Sequence, residues 1–369
     1  MRILHIIDTL WLGGAQTLLK SIFEYQVENE NIFLFSLRQT KPQISIKHNH
    51  ITSFDSEKKF SLRRIKTLKW FIKENKIDVL HCHLPHAQAM GYIMKRIYFK
   101  KIVLVFHEHA EIFNESWSIK YLLKKSKKKV DKYIACSKSS KVELVDKIRI
   151  DPYRVLVQHN FTDTEKFNKK NCNFNITEER KLHGLNINDF VVGFAGRLVE
   201  RKGWKELLNA ASELKSSIKI KFLIAGIGPD KEEFESTIEK LDLKNNVIYM
   251  GYVEDMPLFY SLINCLAIPS YWEGMSIVQL EAAAMEVPTI CTDAPGLIDI
   301  FENLKDTLYF ELFNHKELKE NIEKLMSNKE LGEDIVKNSL LKVEKFNIKN
   351  YLEELDNIYK MILKNEFVS

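Results

Sequence analysis

Short β-branched or apolar runs alternate along the chain with longer amphipathic stretches, the pattern of parallel strands covered by helices. In the first half this predicts strands near 2–8, 31–37, 77–82, 101–106, 131–136 and 154–157. The second half repeats the scheme, with strands near 190–195, 220–225, 246–250, 264–268 and 288–291. Helical spacing fills most of the gaps. Two doubly wound α/β units in tandem are therefore expected, and 369 residues are more than one hydrophobic core usually organises.

Between the two series lies the polar, Asn-rich stretch Phe167-Asn168-Lys169-Lys170-Asn171-Cys172-Asn173-Phe174-Asn175, whose composition suits an interdomain linker. The expected domains are 1–166 and 167–348. After residue 315 the chain is mainly helical and charged, and its last segment repeats Tyr351, Leu352, Leu355, Ile358, Tyr359 and Ile362 at helical spacing. No repeat of solenoid length is present.

Composition narrows the class. Hydrophobic residues make up 45% and charged residues 28%, the balance of a soluble globular protein rather than a fibrous or disordered one. No apolar run is long enough to span a bilayer, and the first residues read as a buried strand without the parts of a signal peptide. The expected location is the cytoplasm. Cys82, Cys136, Cys172, Cys265 and Cys291 are odd in number and scattered, so reduced, mostly buried thiols are expected. A net charge of +5 is mild and does not point to nucleic acid. Residues 95–147, however, hold fourteen Lys/Arg against six Asp/Glu. Within them Lys124, Lys125, Lys127, Lys128 and Lys129 lie near Trp117, Ile119, Tyr121, Leu122 and Leu123. A basic patch at 117–132 beside apolar side chains suits an anionic membrane surface, and a solvated lysine-rich face is the alternative.

Three segments carry candidate chemistry. In Asp8-Thr9-Leu10-Trp11-Leu12-Gly13-Gly14-Ala15-Gln16 a strand runs through a glycine pair into a helix, where backbone N–H groups can approach a phosphate or sugar. The pair lacks a full dinucleotide fingerprint, and a plain tight turn is the alternative. The strand ending at Ala195 continues as Gly196-Arg197-Leu198-Val199-Glu200-Arg201-Lys202-Gly203. An Arg and a Lys five residues apart at a strand's carboxyl end suit neutralisation of a diphosphate leaving group. In Pro269-Ser270-Tyr271-Trp272-Glu273-Gly274-Met275-Ser276-Ile277-Val278-Gln279-Leu280-Glu281, two carboxylates flank a helix start near Ser276. The first-turn amides point at an anion, and Glu281 can accept hydrogen bonds from ribose hydroxyls. Solvated carboxylates are the bland reading of both acids.

Taken together, Gly13-Gly14, Gly196-Arg197-Leu198 with Lys202-Gly203, Ala225-Gly226-Ile227-Gly228-Pro229 and the Glu273-x7-Glu281 block resemble the family 4 glycosyltransferases, in order and over nearly the whole chain. The resemblance implies a GT-B fold, two Rossmann-like domains with parallel sheets facing across a cleft. The acceptor would bind mainly to the first domain and the donor to the second, and a last helix from about 349 would pack back on the first. It implies that Arg197 and Lys202 hold the donor diphosphate with Gly196, and that Glu281 holds the ribose. Glu273 contacts the donor sugar with the amides of Gly274, Met275, Ser276 and Ile277. Ala225, Gly226, Tyr252 and Val253 border the base. Gly14 approaches the donor, and Gly13 and Gln16 face the acceptor, although many members carry an acid where this chain has Gln16.

His81, His83, His86, His107 and His109 cluster at predicted strand ends in the first domain. A metal site is conceivable there, but no DxD carboxylate pair accompanies it, and no metal or cofactor is expected. The resemblance instead singles out Phe106-His107-Glu108-His109 and puts His109 beside the reacting sugar as a catalytic residue. Asn160 and Ser137 match family turn elements and read as structural, while Trp11, Phe113 and Trp117 are candidate acceptor contacts or simply packed rings. The implied activity is retaining transfer of a hexose or N-acetylhexosamine from a nucleotide sugar, UDP favoured over GDP, to a glycan or lipid-linked acceptor. Its setting would be bacterial surface polysaccharide or glycan assembly, at most peripheral to the inner face of the membrane. A nucleotide-sugar-binding regulator and a nucleotide-sugar epimerase are the alternatives on the same fold.

Overall fold

The first apolar run becomes strand β1 (Ile3–Thr9), near the middle of a parallel sheet. In chain order the strands that join it are β2 (Ile32–Arg38), β3 (Ile51–Ser53), β4 (Val79–His83), β5 (Val103–Glu108), β6 (Lys132–Ala135) and β7 (Val155–Val157). Their spatial order is β3-β2-β1-β4-β5-β6-β7, with each neighbouring pair parallel. Helices cover both faces, which is why the strands are apolar almost throughout rather than alternating. Leu80, Leu104 and Phe106 pack on one side with Leu68, Phe71 and Met90 from helices Leu62–Glu74 and Pro85–Ile93. Ile7, Val79 and Val105 pack on the other with Leu18, Leu19, Tyr351, Leu355 and Ile362 from helices Gly14–Tyr25 and Ile348–Glu366.

The second sheet contains β8 (Phe190–Ala195), β9 (Ile220–Ala225), β10 (Val247–Gly251), β11 (Cys265–Ile268), β12 (Thr289–Thr292) and β13 (Leu308–Phe310). Its order is β10-β9-β8-β11-β12-β13, again parallel. Helix Trp204–Leu214 shows how sequence spacing sets packing: Trp204, Leu207, Leu208, Ala211 and Leu214 recur at helical period and are all buried, against Phe222, Ile224 and Phe234.

This computed structural model describes residues 1–11, 13–39, 44–54, 61–109, 116–216 and 219–366. Internal contacts divide the chain into two units, Met1–Phe161 with Ile348–Ser369, and Thr162–Asn347. The last helix thus belongs to the N-terminal unit. The boundary differs from the predicted linker: residues 167–175 lie inside the C-terminal unit, where Asn168 caps the turn Lys169–Asn171 and Asn171 donates to the Glu165 carbonyl at 3.0 Å. Asparagine-rich polarity marks capped surface turns as readily as linkers. Two strands were not predicted, β3 and β13, each three residues long at the edge of its sheet. Four of the five cysteines are buried, and no disulfide joins any of them.

Candidate functional site

In the C-terminal unit the sheet order reverses between β8 and β11, the place where open parallel sheets bind ligands beyond the carboxyl ends of their strands. The loops there are tightly joined. Gly196 N donates to Ala225 O at 3.0 Å, and Gly226 N donates to Gly251 O at 2.7 Å. A Cβ on Gly226 would lie 1.8 Å from Gly196 O, and one on Gly203, whose φ is 69°, would lie 1.7 Å from Pro269 O. Only glycine permits these approaches, so the loops after β8, β9 and β11 are locked against one another.

Across that switch point Lys202 Nζ donates to Glu273 Oε1, which also accepts from Ser270 Oγ at 2.7 Å. Arg201 lies 4.0 Å from Glu273 Oε2, with its guanidinium 4.5 Å over the Trp272 ring. The Ser270 carbonyl accepts in turn from Thr292 Oγ1, which ties in the end of β12. Burial alone would raise the Glu273 carboxyl. The charge and hydrogen bond of Lys202, with Arg201 and Ser270, overcome it and hold the group below the usual carboxylate range.

Helix Ile277–Ala284 starts four residues after Glu273, with Ser276 as its first cap. The Ser276 side chain makes no capping bond, and its Oγ is buried without a hydrogen-bond partner. A buried unpaired hydroxyl at a helix amino terminus is a donor poised for an anion. One turn further in, Glu281 is 8% exposed and accepts from Tyr260 Oη at 2.8 Å. Burial pushes its carboxyl up to about 7, although the Tyr260 hydrogen bond and the Lys166 charge pull the other way.

Of the predicted donor residues, Gly196, Lys202 and Glu273 meet directly, since a Cβ on Gly196 would touch the Lys202 stem at 3.8 Å. Gly274, Met275 and Ser276 are buried in the same loop, with Ile277 half-buried. Arg197 and Tyr252 are exposed at the ends of β8 and β10, with Val253 half-buried beside Tyr252. Ser270 and Tyr260, the partners of the two glutamates, were missed. Ser270 stands three residues before Glu273, a spacing that could have flagged it; Tyr260 is 21 residues from Glu281 and only the fold brings it close.

In the N-terminal unit Gly13 and Gly14 are exposed at the start of helix Gly14–Tyr25. Gln16 is buried, and its Nε2 donates to Thr9 O at 3.1 Å. The amide thus ties the glycine loop to the end of β1. Asp8 instead holds the start of helix Pro85–Ile93, accepting from Ala87 N at 2.7 Å and bonding His86 Nδ1 at 2.8 Å. His109 follows β5 and is hydrogen-bonded through Nε2 to His83 Nδ1 at 2.8 Å. The strands bring in His5, which the sequence clustering had omitted, and two sets of three, His5/His81/His83 and His83/His107/His109, hold ligand atoms within 4.8 Å of one another.

The remaining candidates are structural or peripheral. Ser137 accepts from Ser140 N at 3.0 Å and caps helix Lys138–Val142. Asn160 is buried, and its neighbour Phe161 packs on Tyr351 at 4.8 Å. Trp11 is partly exposed and Trp117 is 81% exposed, while Phe113 lies outside the described residues. Among the described residues no helix is long and apolar enough to cross a membrane.

Comparison with known proteins places this architecture. Residues 12–166 match the model described as Glycosyltransferase Family 4, and residues 175–341 match Glycosyl transferases group 1. The capsular polysaccharide biosynthesis glycosyltransferase CapM of Staphylococcus aureus is 34% identical over 193 residues, 50% of either chain. An Escherichia coli UDP-Gal:alpha-D-GlcNAc-diphosphoundecaprenol alpha-1,3-galactosyltransferase is 25% identical over 260 residues, 68% of this chain and 67% of that one. The crystal structure of Anabaena HepE in complex with UDP-glucose superposes with a TM-score of 0.86 at 18% identity, covering 98% of this chain and 100% of that one, so the fold is of the GT-B class. With one unit matching each of the two family models, the chain belongs to the family 4 glycosyltransferases.

Proposed function

We propose that this glycosyltransferase is a retaining, metal-independent enzyme that moves a hexose or N-acetylhexosamine from a nucleotide sugar to a glycan or lipid-linked acceptor. UDP-sugars are favoured over GDP-sugars as donors. The observation that carries the reading is the Lys202–Glu273 pair at the β8/β11 switch point, followed by a helix start whose Ser276 hydroxyl is buried and unpartnered. Breaking a glycosyl phosphate bond develops negative charge on the diphosphate. Arg197, Lys202, Ser276 and the first amides of helix Ile277–Ala284 are the groups that answer it. Glu281 takes the ribose, Glu273 the donor sugar, and Ala225, Gly226, Tyr252 and Val253 border the base. His109 is assigned to the reacting sugar, and Gly13, Gly14 and Gln16 to the loop facing the substrates.

Retention fits the state of Glu273. Its carboxylate is engaged by Lys202 and Ser270, which lowers its reach as a nucleophile. The acceptor oxygen therefore attacks from the face that the diphosphate leaves, assisted by the departing phosphate. The names of CapM and of the undecaprenol-linked galactosyltransferase support surface polysaccharide assembly as the setting. Helix Trp117–Ser126 supports peripheral contact with anionic lipid at the cytoplasmic face: exposed Trp117 and Tyr121 share it with Lys120, Lys124 and Lys125.

The test is a thermal-shift series across UDP-, GDP- and ADP-sugars in the presence of EDTA, followed by NMR of the product's anomeric centre. Stabilisation by a UDP-sugar and a product of unchanged anomeric configuration support the reading. An inverted product or an absolute need for a divalent ion overturns retention or metal independence in turn.

A further inference from the structure

The histidines of the N-terminal unit form two hydrogen-bonded strings across β1, β4 and β5. His5 stands opposite His81, and His83 opposite His107, so the alternating side chains share one face of the sheet. In the first string His5 Nδ1 meets His83 Nε2 at 3.0 Å, and His83 Nδ1 meets His109 Nε2 at 2.8 Å. In the second, Tyr359 Oη is bonded to His81 Nδ1, and His81 Nε2 meets His107 Nδ1 at 3.1 Å.

Ring geometry shows how the members of each string meet. Centroids are 5.3 Å apart for His5/His83, 5.1 Å for His83/His109 and 5.2 Å for His81/His107. Each exceeds its N···N distance by about 2 Å, the sum of two ring radii, which is the value for imidazoles meeting edge to edge along the N–H···N axis. Between the strings the rings lie face to face, His81 on His83 at 4.3 Å and His107 on His109 at 4.1 Å. Lone pairs in each string therefore aim at a neighbour's N–H rather than at a shared centre, although the same nitrogens fall within 4.8 Å in threes.

Burial keeps the rings neutral: it lowers His5 to about 3 and His109 to about 4, and holds His81, His83 and His107 well below the ordinary histidine value. A neutral ring has one N–H and one lone pair. His83 uses both nitrogens, so it donates to His109 only while accepting from His5, or the reverse. The second string ends at His107 Nε2, which is buried without a partner and leads no further.

We infer that His5 and His83 form a tautomer relay for His109: the protons of the three rings point one way and reverse only together, making His83 and His5 positioning residues that determine which nitrogen of His109 carries hydrogen. Reversal moves one proton without charging any ring. When His109 takes a proton at Nδ1, its Nε2 proton passes to His83 Nδ1, the His83 Nε2 proton passes to His5 Nδ1, and His5 gives up its own Nε2 proton. His5 lines a cavity of about 510 Å³ with Asp356, whose carboxylate can receive it. Sugar transfer frees a proton from the acceptor hydroxyl. As a route for that proton the relay rests on the assignment of His109 to the reacting sugar; as a tautomer device it does not.

The experiment is long-range proton–nitrogen NMR of the full chain with labelled histidine at pH 7, without substrate, on the wild type and on His5→Phe and His83→Gln. The expected result is one tautomer shared by His5, His83 and His109 in the wild type, and a changed tautomer population at His109 in both variants. Mixed tautomers within the wild-type string overturn the relay, even where a variant does not fold. So does a joint shift of His83, His107 and His109 resonances on adding zinc, which would mark a metal site instead. In turnover, His5→Phe is expected to lower kcat by about tenfold at unchanged KM, and a wild-type kcat overturns the proton route. A wild type that transfers no sugar defeats the functional reading and leaves the tautomer result to stand by itself.

Discussion

Lys202 and Glu273, 71 residues apart, form a hydrogen-bonded ion pair that joins the loop after β8 to the loop after β11. The pair sets a sign for pH dependence. Glu273 has its folded pKa depressed, so its contribution is present above the ordinary carboxylate range and is lost as pH falls through the folded value. Thermal unfolding of Glu273→Gln should therefore show its largest deficit against wild type near pH 7, closing toward pH 3. Transfer activity in the same variant should fall by about a hundredfold or more.

Glu281 carries the opposite sign. Its folded pKa is raised to about 7, so the stability it contributes is complete below the unfolded carboxylate value and is lost as pH rises through 7. If its carboxylate receives ribose hydroxyls, affinity for UDP should rise between pH 6 and 8. Tyr260→Phe removes a hydrogen bond that favours the ionised form, and should move that midpoint upward; calorimetric titration at several pH values measures both.

Gly203 sets the close approach between the loops after β8 and β11. Gly203→Ala should cost about 2 kcal/mol or more in urea unfolding, because a positive φ and a Cβ 1.7 Å from Pro269 O act together. Gly184→Ala is the control: it has φ +72° but nothing within 4 Å, and should cost about 1 kcal/mol.

Arg197 is exposed, so Arg197→Ala should leave stability within about 0.5 kcal/mol of wild type. Its kcat/KM with the correct donor should nevertheless fall by about a hundredfold. Equal activity in the variant and wild type removes Arg197 from the diphosphate site.

Much of this was legible in the residues. Parallel strands buried on both faces are written as apolar runs, so most of both sheets could be read, and misses fell on the three-residue edges β3 and β13. The segments around Arg197, Lys202, Glu273 and Glu281 were visible as spacings within single loops. What spacing could not show were contacts made only by folding: Tyr260 on Glu281, Tyr359 on His81, and His5 completing a string with His83 and His109. Gln16 shows the limit from the other side. It is an acceptor-side candidate by position, yet its amide is spent on the Thr9 carbonyl.

A C-terminal unit that recognises a pyrophosphate through Lys202 and the Ser276 helix start should tell UDP from UMP, a difference read by titrating both into the full chain, wild type and Lys202→Met. UDP should bind the wild type at least about tenfold more tightly than UMP, a difference of about 1.4 kcal/mol, and Lys202→Met should erase most of that gap. Equal affinities for UDP and UMP in the wild type, or a gap that survives in Lys202→Met, would contradict it.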